Sequence, residues 1–193
     1  ALSTKRWGVY QHTVADRRHP LVRGVNTRFD VPHSRYNDVS RCALEDHGMK
    51  VLVPSQHDEV HLAVSEDGIR MVCFQGHPEY DAVTLLKEYR REVVRWHQGA
   101  APEPPFPDHY LSARSRAVLT EYRSHLAAGN PAFALEQFPE TLILPWLHNS
   151  WHDTAEAIMD NWVGLVYRLT HVDRRRPFAP TIDPQDPLGW RER

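Results

Sequence analysis

The run Ile69-Arg70-Met71-Val72-Cys73-Phe74-Gln75-Gly76-His77-Pro78-Glu79-Tyr80-Asp81 decides the fold class. Its first six residues read as a continuous apolar strand and the next as a tight loop. Asp81 then stands as the N-cap of a helix with Leu85, Leu86, Tyr89, Val93 and Trp96 at helical spacing, ending near Gly99. Working outward, Val60, Leu62 and Val64 alternate ahead of an Asp67-Gly68 turn, and Val51 and Val53 fit a further short strand. This predicts a β-hairpin whose second strand, residues 69–74, is buried on both faces. Strand, loop and amphipathic helix in succession indicate an α/β chain, with a histidine and a glutamate at the strand's carboxyl end, where open α/β sheets bind ligands.

His77-Pro78-Glu79 carries the strongest chemical signal. A catalytic imidazole needs an acid behind it to fix its tautomer and stabilise its charged form. Residues two apart in an extended loop share a face, and proline between them restricts the backbone. The competing reading is a turn histidine beside an incidental glutamate. Arg91, three residues after Glu88, has the spacing for a same-face ion pair, while Arg90 points about 100° away and reads as the surface residue.

The remaining clusters read as structural. His57-Asp58-Glu59-Val60-His61 lacks the glutamate directly after the first histidine that a zincin helix requires. His148 and His152 flank Trp151, which suggests packing rather than metal binding. Cys73 reads as an inert thiol inside the buried strand. Cys42, after Ser40-Arg41, shows no helix-start context to activate it. No metal site is expected.

Further along, residues 101–107 hold four prolines and read as a linker. Helical patterns follow over residues 110–128 and 154–170. The tail from Arg174 reads as irregular, with the arginines at 174–176 on a solvated surface.

The 193 residues suit one domain with a sizeable core. A hydrophobic fraction of 41% with 25% charged residues excludes a disordered or collagen-like chain. No stretch approaches the roughly 18 apolar residues of a membrane span. Twenty-three basic against 25 acidic residues, net charge −2, give no electrostatic case for nucleic acid or an anionic membrane. Two cysteines cannot form a disulfide framework, and no signal-peptide pattern opens the chain, so a cytoplasmic location is expected. The chain opens Ala1-Leu2-Ser3 without methionine, as a processed product or fragment would. Thirteen histidines exceed chance expectation.

At residues 74–81, with Leu85, Glu88 and Arg91 behind them, the chain resembles the MetA-type homoserine O-acyltransferases. Three further segments share the resemblance: Lys5-Arg6-Trp7-Gly8-Val9-Tyr10, then Pro32-His33-Ser34-Arg35, then Ser150-Trp151 with Asn161-Trp162. The resemblance covers residues 1 to about 108 and about 149 to 172, and residues 109–148 stand as an extra helical segment. It implies a class I glutamine amidotransferase-like fold, flavodoxin-like with three α/β/α layers, here missing its N-terminal half. Residues 1–100 would be the C-terminal half of that domain, 101–148 a Pro-rich linker and extra helical segment, and 149–193 a C-terminal helix on the domain with an irregular tail.

The resemblance also implies roles. His77 would be the general base and Glu79 its orienting acid. Arg91 would pair with the substrate α-carboxylate, and Ser34 and Lys5 would line the amino-acid pocket. The reaction would pass a succinyl or acetyl group from acyl-CoA, through a cysteine thioester outside this chain, to the hydroxyl of homoserine or serine, in methionine or cysteine biosynthesis. No cofactor is implied beyond acyl-CoA as co-substrate. The expected partners are an N-terminal fragment or chain bearing the cysteine and a second copy in a homodimer, with no nucleic acid and no membrane. Two other readings stay open: a glutamine amidotransferase domain, which shares His-Pro-Glu after a strand, and an inactive half that only binds a partner.

Overall fold

The computed structural model describes residues 1–55, 59–130 and 134–190. It is an α/β chain of five strands and five α-helices among those residues. The chain divides into two compact units, residues 1–5, 10–79 and 150–193 in the first and 6–9 with 80–149 in the second. No helix among the described residues is long and apolar enough to cross a membrane.

In the first unit, β3 (Lys50–Pro54), β4 (Val60–Val64) and β5 (Val72–Phe74) form an antiparallel sheet in that order. Leu62 lies opposite Phe74 and Ala63 opposite Cys73. The doubly buried strand is therefore β4, every residue of which is buried, and not the segment 69–74. The reason is local. Asp67 Oδ1 accepts the amides of Ile69 and Arg70 at 3.1 Å each, and Ser65 Oγ accepts that of Met71 at 3.0 Å. These turn bonds hold residues 67–70 off the ladder and leave Met71 only one ladder bond, from the Ser65 amide, so β5 is a three-residue strand with Cys73 exposed, not buried and shielded as its sequence context suggests.

β1 (Arg6–Thr13) pairs with β2 (Arg28–Arg35). Main-chain bonds from Leu2 to Tyr36 (2.6 Å) and from Val14 to Thr27 (2.9 Å) mark the two ends of an antiparallel ribbon. The short helix α1 (Arg41–Asp46) is capped by Ser40, whose Oγ accepts the Ala43 amide, so Cys42 does lie in a helix first turn.

α5 (His152–Leu169) closes the core with Ile158, Leu165 and Leu169 against Leu21, Val31, Leu52, Leu62 and Val64. Each such fully buried aliphatic contributes about 1.5–3 kcal/mol. The paired tryptophan motifs fasten this helix. Ser150 Oγ donates to Asp30 Oδ2 at 2.6 Å beside buried Trp151, and the Asn161 amide donates to the carbonyls of Leu21 (3.0 Å) and Arg23 (2.8 Å). His148 and His152, by contrast, are exposed, so the packing expected of all three belongs to Trp151 alone. Among the described residues the tail has no regular structure, yet Phe178 is buried in the core and Ile182 and Leu188 pack on it.

The second unit holds α2 (Thr84–His97), α3 (Ala113–Ala127) and α4 (Glu140–Ile143). α2 begins three residues after Asp81, which does not cap it. The N-cap position falls on Val83, which makes no side-chain capping bond, and Thr84, the first helical residue, ties back to Asp81, its amide bonding to the Asp81 carbonyl and its Oγ1 accepting the Asp81 amide. At its other end Gly99, at φ +73°, carries a 5→2 bond to Trp96 and Ala100 a 6→1 bond to Arg95, which stop the helix as read. Tyr89 is fully buried, stacked on Trp7 with ring centroids 6.2 Å apart and beside Phe106 at 5.3 Å.

The proline-rich stretch is irregular but is packed rather than loose. Asp108 exchanges main-chain bonds with Trp7 and Val9 at 2.9 Å. That approach explains Gly8: a Cβ there, at φ +148°, would lie 2.3 Å from the Asp108 carbonyl oxygen.

Candidate active site

The chain leaving β5 is spanned between two strands. The Gln75 amide donates to the His61 carbonyl of β4 at 2.9 Å, and the His77 amide donates to the Pro32 carbonyl of β2 at 2.8 Å. Gly76, between them, crosses close over side chains. A Cβ on it would meet Val31 Cγ1 at 2.3 Å, His61 Nδ1 at 2.8 Å and His33 Cε1 at 3.1 Å. The Gln75 side chain fixes the flank, its Oε1 accepting the Val39 amide at 2.8 Å and its Nε2 donating to the Val39 carbonyl at 2.9 Å.

Held this way, His77 Nδ1–H donates to Glu79 Oε1 at 2.8 Å. A carboxylate only accepts, so Nδ1 carries a hydrogen, and in the neutral imidazole this puts the lone pair on Nε2. The His77 side chain is 32% exposed and that of Glu79 64%. A contact so exposed adds at most about 1 kcal/mol to stability, even when charged. Its consequence is orientation: an imidazole with a fixed tautomer, able to accept a proton at Nε2.

The other expected site residues fall as follows. Ser34 is half-buried on β2, two residues past the carbonyl that binds the His77 amide. Lys5, half-buried just before β1, lies at the same end of the β1–β2 ribbon, the end that the Leu2–Tyr36 bond fixes. Arg91 is in the second unit, on α2. Its partner is Glu92, Nε to Oε1 at 3.2 Å, while Glu88 accepts from the Tyr80 hydroxyl at 2.7 Å. The expected contrast with Arg90 is reversed: Arg91 is the more exposed, and Arg90 reaches Glu140 Oε2 at 3.4 Å and lies over the Phe138 ring at 5.6 Å. The i,i+3 spacing did not settle this because α4 supplies Arg90's partner from far along the chain.

Sequence reading missed three buried imidazoles behind this loop, His12 and His33 at 0% exposure and His61 at 1%. His12 and His33 stack at 5.1 Å, and His61 stands edge-on to His12 at 5.8 Å. His33 Nδ1 accepts from Arg35 Nε at 3.2 Å, and His12 Nδ1–H donates to the Tyr10 carbonyl at 3.0 Å. The His61 imidazole is held uncharged, its pKa pushed down from 6.5 to about 3, first by burial and then by His12 and His77. The available signal was strand alternation, which sets His33 on the same face as Val31 and Phe29. His57 and Asp58 of the zincin-like string lie outside the described residues. Among those described, His152, Asp153 and Glu156 gather ligand atoms, on the exposed start of α5.

Comparison with known proteins gives a consistent result. The sequence profile of a family described as homoserine O-succinyltransferase matches residues 1–172. Homoserine O-succinyltransferase of Nitrosococcus oceani is 56% identical over 192 residues, covering 98% of this chain and 54% of the relative. The enzymes of that name from Thioalkalivibrio nitratireducens and Methylococcus capsulatus are 55% and 51% identical, over 96% and 97% of this chain and 53% and 54% of the relative. The chain thus spans about half the length of the curated relatives it matches.

Proposed function

The chain belongs to the homoserine O-succinyltransferase family, and from that premise we propose that it carries the proton-accepting side of succinyl transfer from succinyl-CoA to the side-chain hydroxyl of L-homoserine. The observation that carries this is the His77–Glu79 dyad, in which His77 Nδ1–H donates to Glu79 Oε1 at 2.8 Å. Succinyl is preferred to acetyl, and homoserine to serine, on the description of the family and its relatives.

A cysteine thiol on an N-terminal portion outside these 193 residues attacks the thioester carbonyl of succinyl-CoA. His77 takes the thiol proton and returns it to the departing CoA sulfur, leaving the succinyl group on the cysteine. The homoserine hydroxyl then attacks this thioester, its proton passing to His77 Nε2 and on to the released cysteine sulfur. Glu79 holds the tautomer and stabilises the imidazolium formed in each half. Ser34 and Lys5 line the amino-acid pocket. Arg91 takes the α-carboxylate on the family motif, where a guanidinium offers a planar two-pronged match. Acyl-CoA is a co-substrate, and the scheme uses no resident cofactor.

The edge strand β5 and the exposed Val163 and Tyr167 of α5 support packing against further protein. In this proposal the N-terminal portion completes a three-layer, amidotransferase-like fold.

The test joins this chain to the N-terminal portion of the Nitrosococcus oceani relative. Succinyl-CoA should give an enzyme thioester seen by intact mass, which homoserine discharges. Acetyl-CoA and serine are the comparison arms. A joined, folded protein that forms no thioester with either donor, or that releases ammonia from glutamine instead, contradicts the proposal.

A further inference from the structure

Behind the dyad, a buried polar group stands where an apolar one would cost less. His61 is buried in the central strand β4 among Phe74, at 5.4 Å between ring centroids, Phe29 at 6.2 Å and His12 at 5.8 Å. Its Nδ1 has no hydrogen-bond partner among the described residues. A buried polar atom in that condition costs about 1–3 kcal/mol, and such an exception calls for an explanation. Its location supplies one. Nδ1 lies against Gly76, one residue before His77, with room for a hydrogen on that Cα but not for a methyl group.

We propose that His61 is a positioning residue for His77: its flat, uncharged ring edge sets the path of the chain at Gly76 so that His77 Nδ1 meets Glu79. The main-chain bonds on either side, Gln75 to His61 and His77 to Pro32, leave the Gly76 crossing as the point where a side chain sets the height of the loop. Pro78 has a fixed φ, so a shift at Gly76 passes into the His77–Glu79 geometry rather than dissipating in the turn. A branched aliphatic residue at position 61 would press on Gly76, and a phenyl ring is larger. A cationic side chain would oppose the positive charge that His77 gains as it accepts a proton. The imidazole avoids both.

The effect on catalysis rests on the acyl-transfer proposal; the effect on geometry does not. The experiment is therefore a nitrogen-15 spectrum of the histidine side chains, recorded on the 193-residue chain and on His61→Leu, His61→Gln and Gly76→Ala, beside a thermal melt of each. His77 is expected as the Nδ1–H tautomer in the parent chain. In His61→Leu and Gly76→Ala it should drift towards Nε2–H while the melt stays cooperative. His61→Gln, which keeps a planar polar group over Gly76, should restore most of the parent signal.

In the joined enzyme, His61→Leu should lower kcat about tenfold while KM stays within about twofold, the signature of misplacement rather than lost binding. An unchanged His77 tautomer in folded His61→Leu overturns the proposal. If His61→Leu fails to fold, an unchanged signal in Gly76→Ala overturns it instead. Absence of acyl transfer in the joined parent overturns the acyl-transfer proposal alone, since the tautomer comparison is read without turnover.

Discussion

His19 and His61 are both buried in the first unit and both held uncharged, yet their nitrogens are treated differently. His19 Nδ1 accepts the Leu21 amide at 3.2 Å and its Nε2–H donates to the Gly68 carbonyl at 3.1 Å, so both atoms are used. It staples the Pro20–Val22 turn to the Asp67-Gly68 turn, with Trp190 edge-on at 5.3 Å. His61 leaves Nδ1 unmatched among the described residues and presents it to the backbone beside His77. A fully bonded buried imidazole holds a fold together. One that forgoes a bond beside the His77 loop gives up stability for geometry.

The largest effect should come at the dyad itself. His77→Ala in the joined enzyme should cut turnover by roughly 10²–10⁴-fold, the usual contribution of a general base. The melt should hardly move, because the exposed pair contributes at most about 1 kcal/mol. Glu79→Gln should be milder, keeping an acceptor for Nδ1–H but losing the charge that stabilises imidazolium. Equal loss in the two would show that Glu79 acts directly on substrate rather than through His77.

The staple should behave oppositely. His19→Leu strands the Leu21 amide and the Gly68 carbonyl, and urea unfolding should show a loss of about 2–4 kcal/mol with the His77 tautomer unchanged. Acid should reach the same group. Burial pushes its pKa from 6.5 down to about 4. The unfolded chain therefore binds this proton between pH 6.5 and 4 while the folded chain does not. The stability from neutral His19 is complete above about pH 6.5 and is lost as the pH falls towards 4, a fall of roughly 3 kcal/mol. His61 extends the decline to about pH 3. Urea midpoints at intervals from pH 7.5 to 4 should fall, less steeply in His19→Leu; parallel slopes would remove His19 from the acid response.

Smaller effects are expected on α2. Arg91→Lys keeps charge but loses the fork, so KM for homoserine should rise about tenfold while thioester formation is unaffected. Arg90→Lys should leave turnover unchanged and cost about 0.5–1 kcal/mol through the Phe138 contact. If Arg90→Lys is the one that raises KM, the acceptor lies on the other face of the helix.

What could be read in the sequence follows from how local each signal is. The strands at Val51–Val53 and Val60–Val64, the stop at Gly99 and the His77–Glu79 pair depend on neighbours in the chain, and each was legible. The length of β5 was not, because the bonds gathered by Asp67 and Ser65 held residues 67–70 off the ladder despite an apolar run. The start of α2 slipped by three residues because Thr84, not Asp81, ended the loop. The partners of Arg90, Gly8 and Gly76 come from distant segments, as does the meeting of His12, His33 and His61. Thirteen histidines in the composition hinted at such a cluster without placing it.

The most direct test is a single histidine nitrogen-15 spectrum of the parent chain near neutral pH. His19 should carry its hydrogen on Nε2 and His77 on Nδ1, opposite nitrogens fixed by opposite partners, Gly68 and Glu79. A His77 signal that averages between tautomers, or that sits at Nε2–H like His19, would contradict a dyad preorganised within this chain.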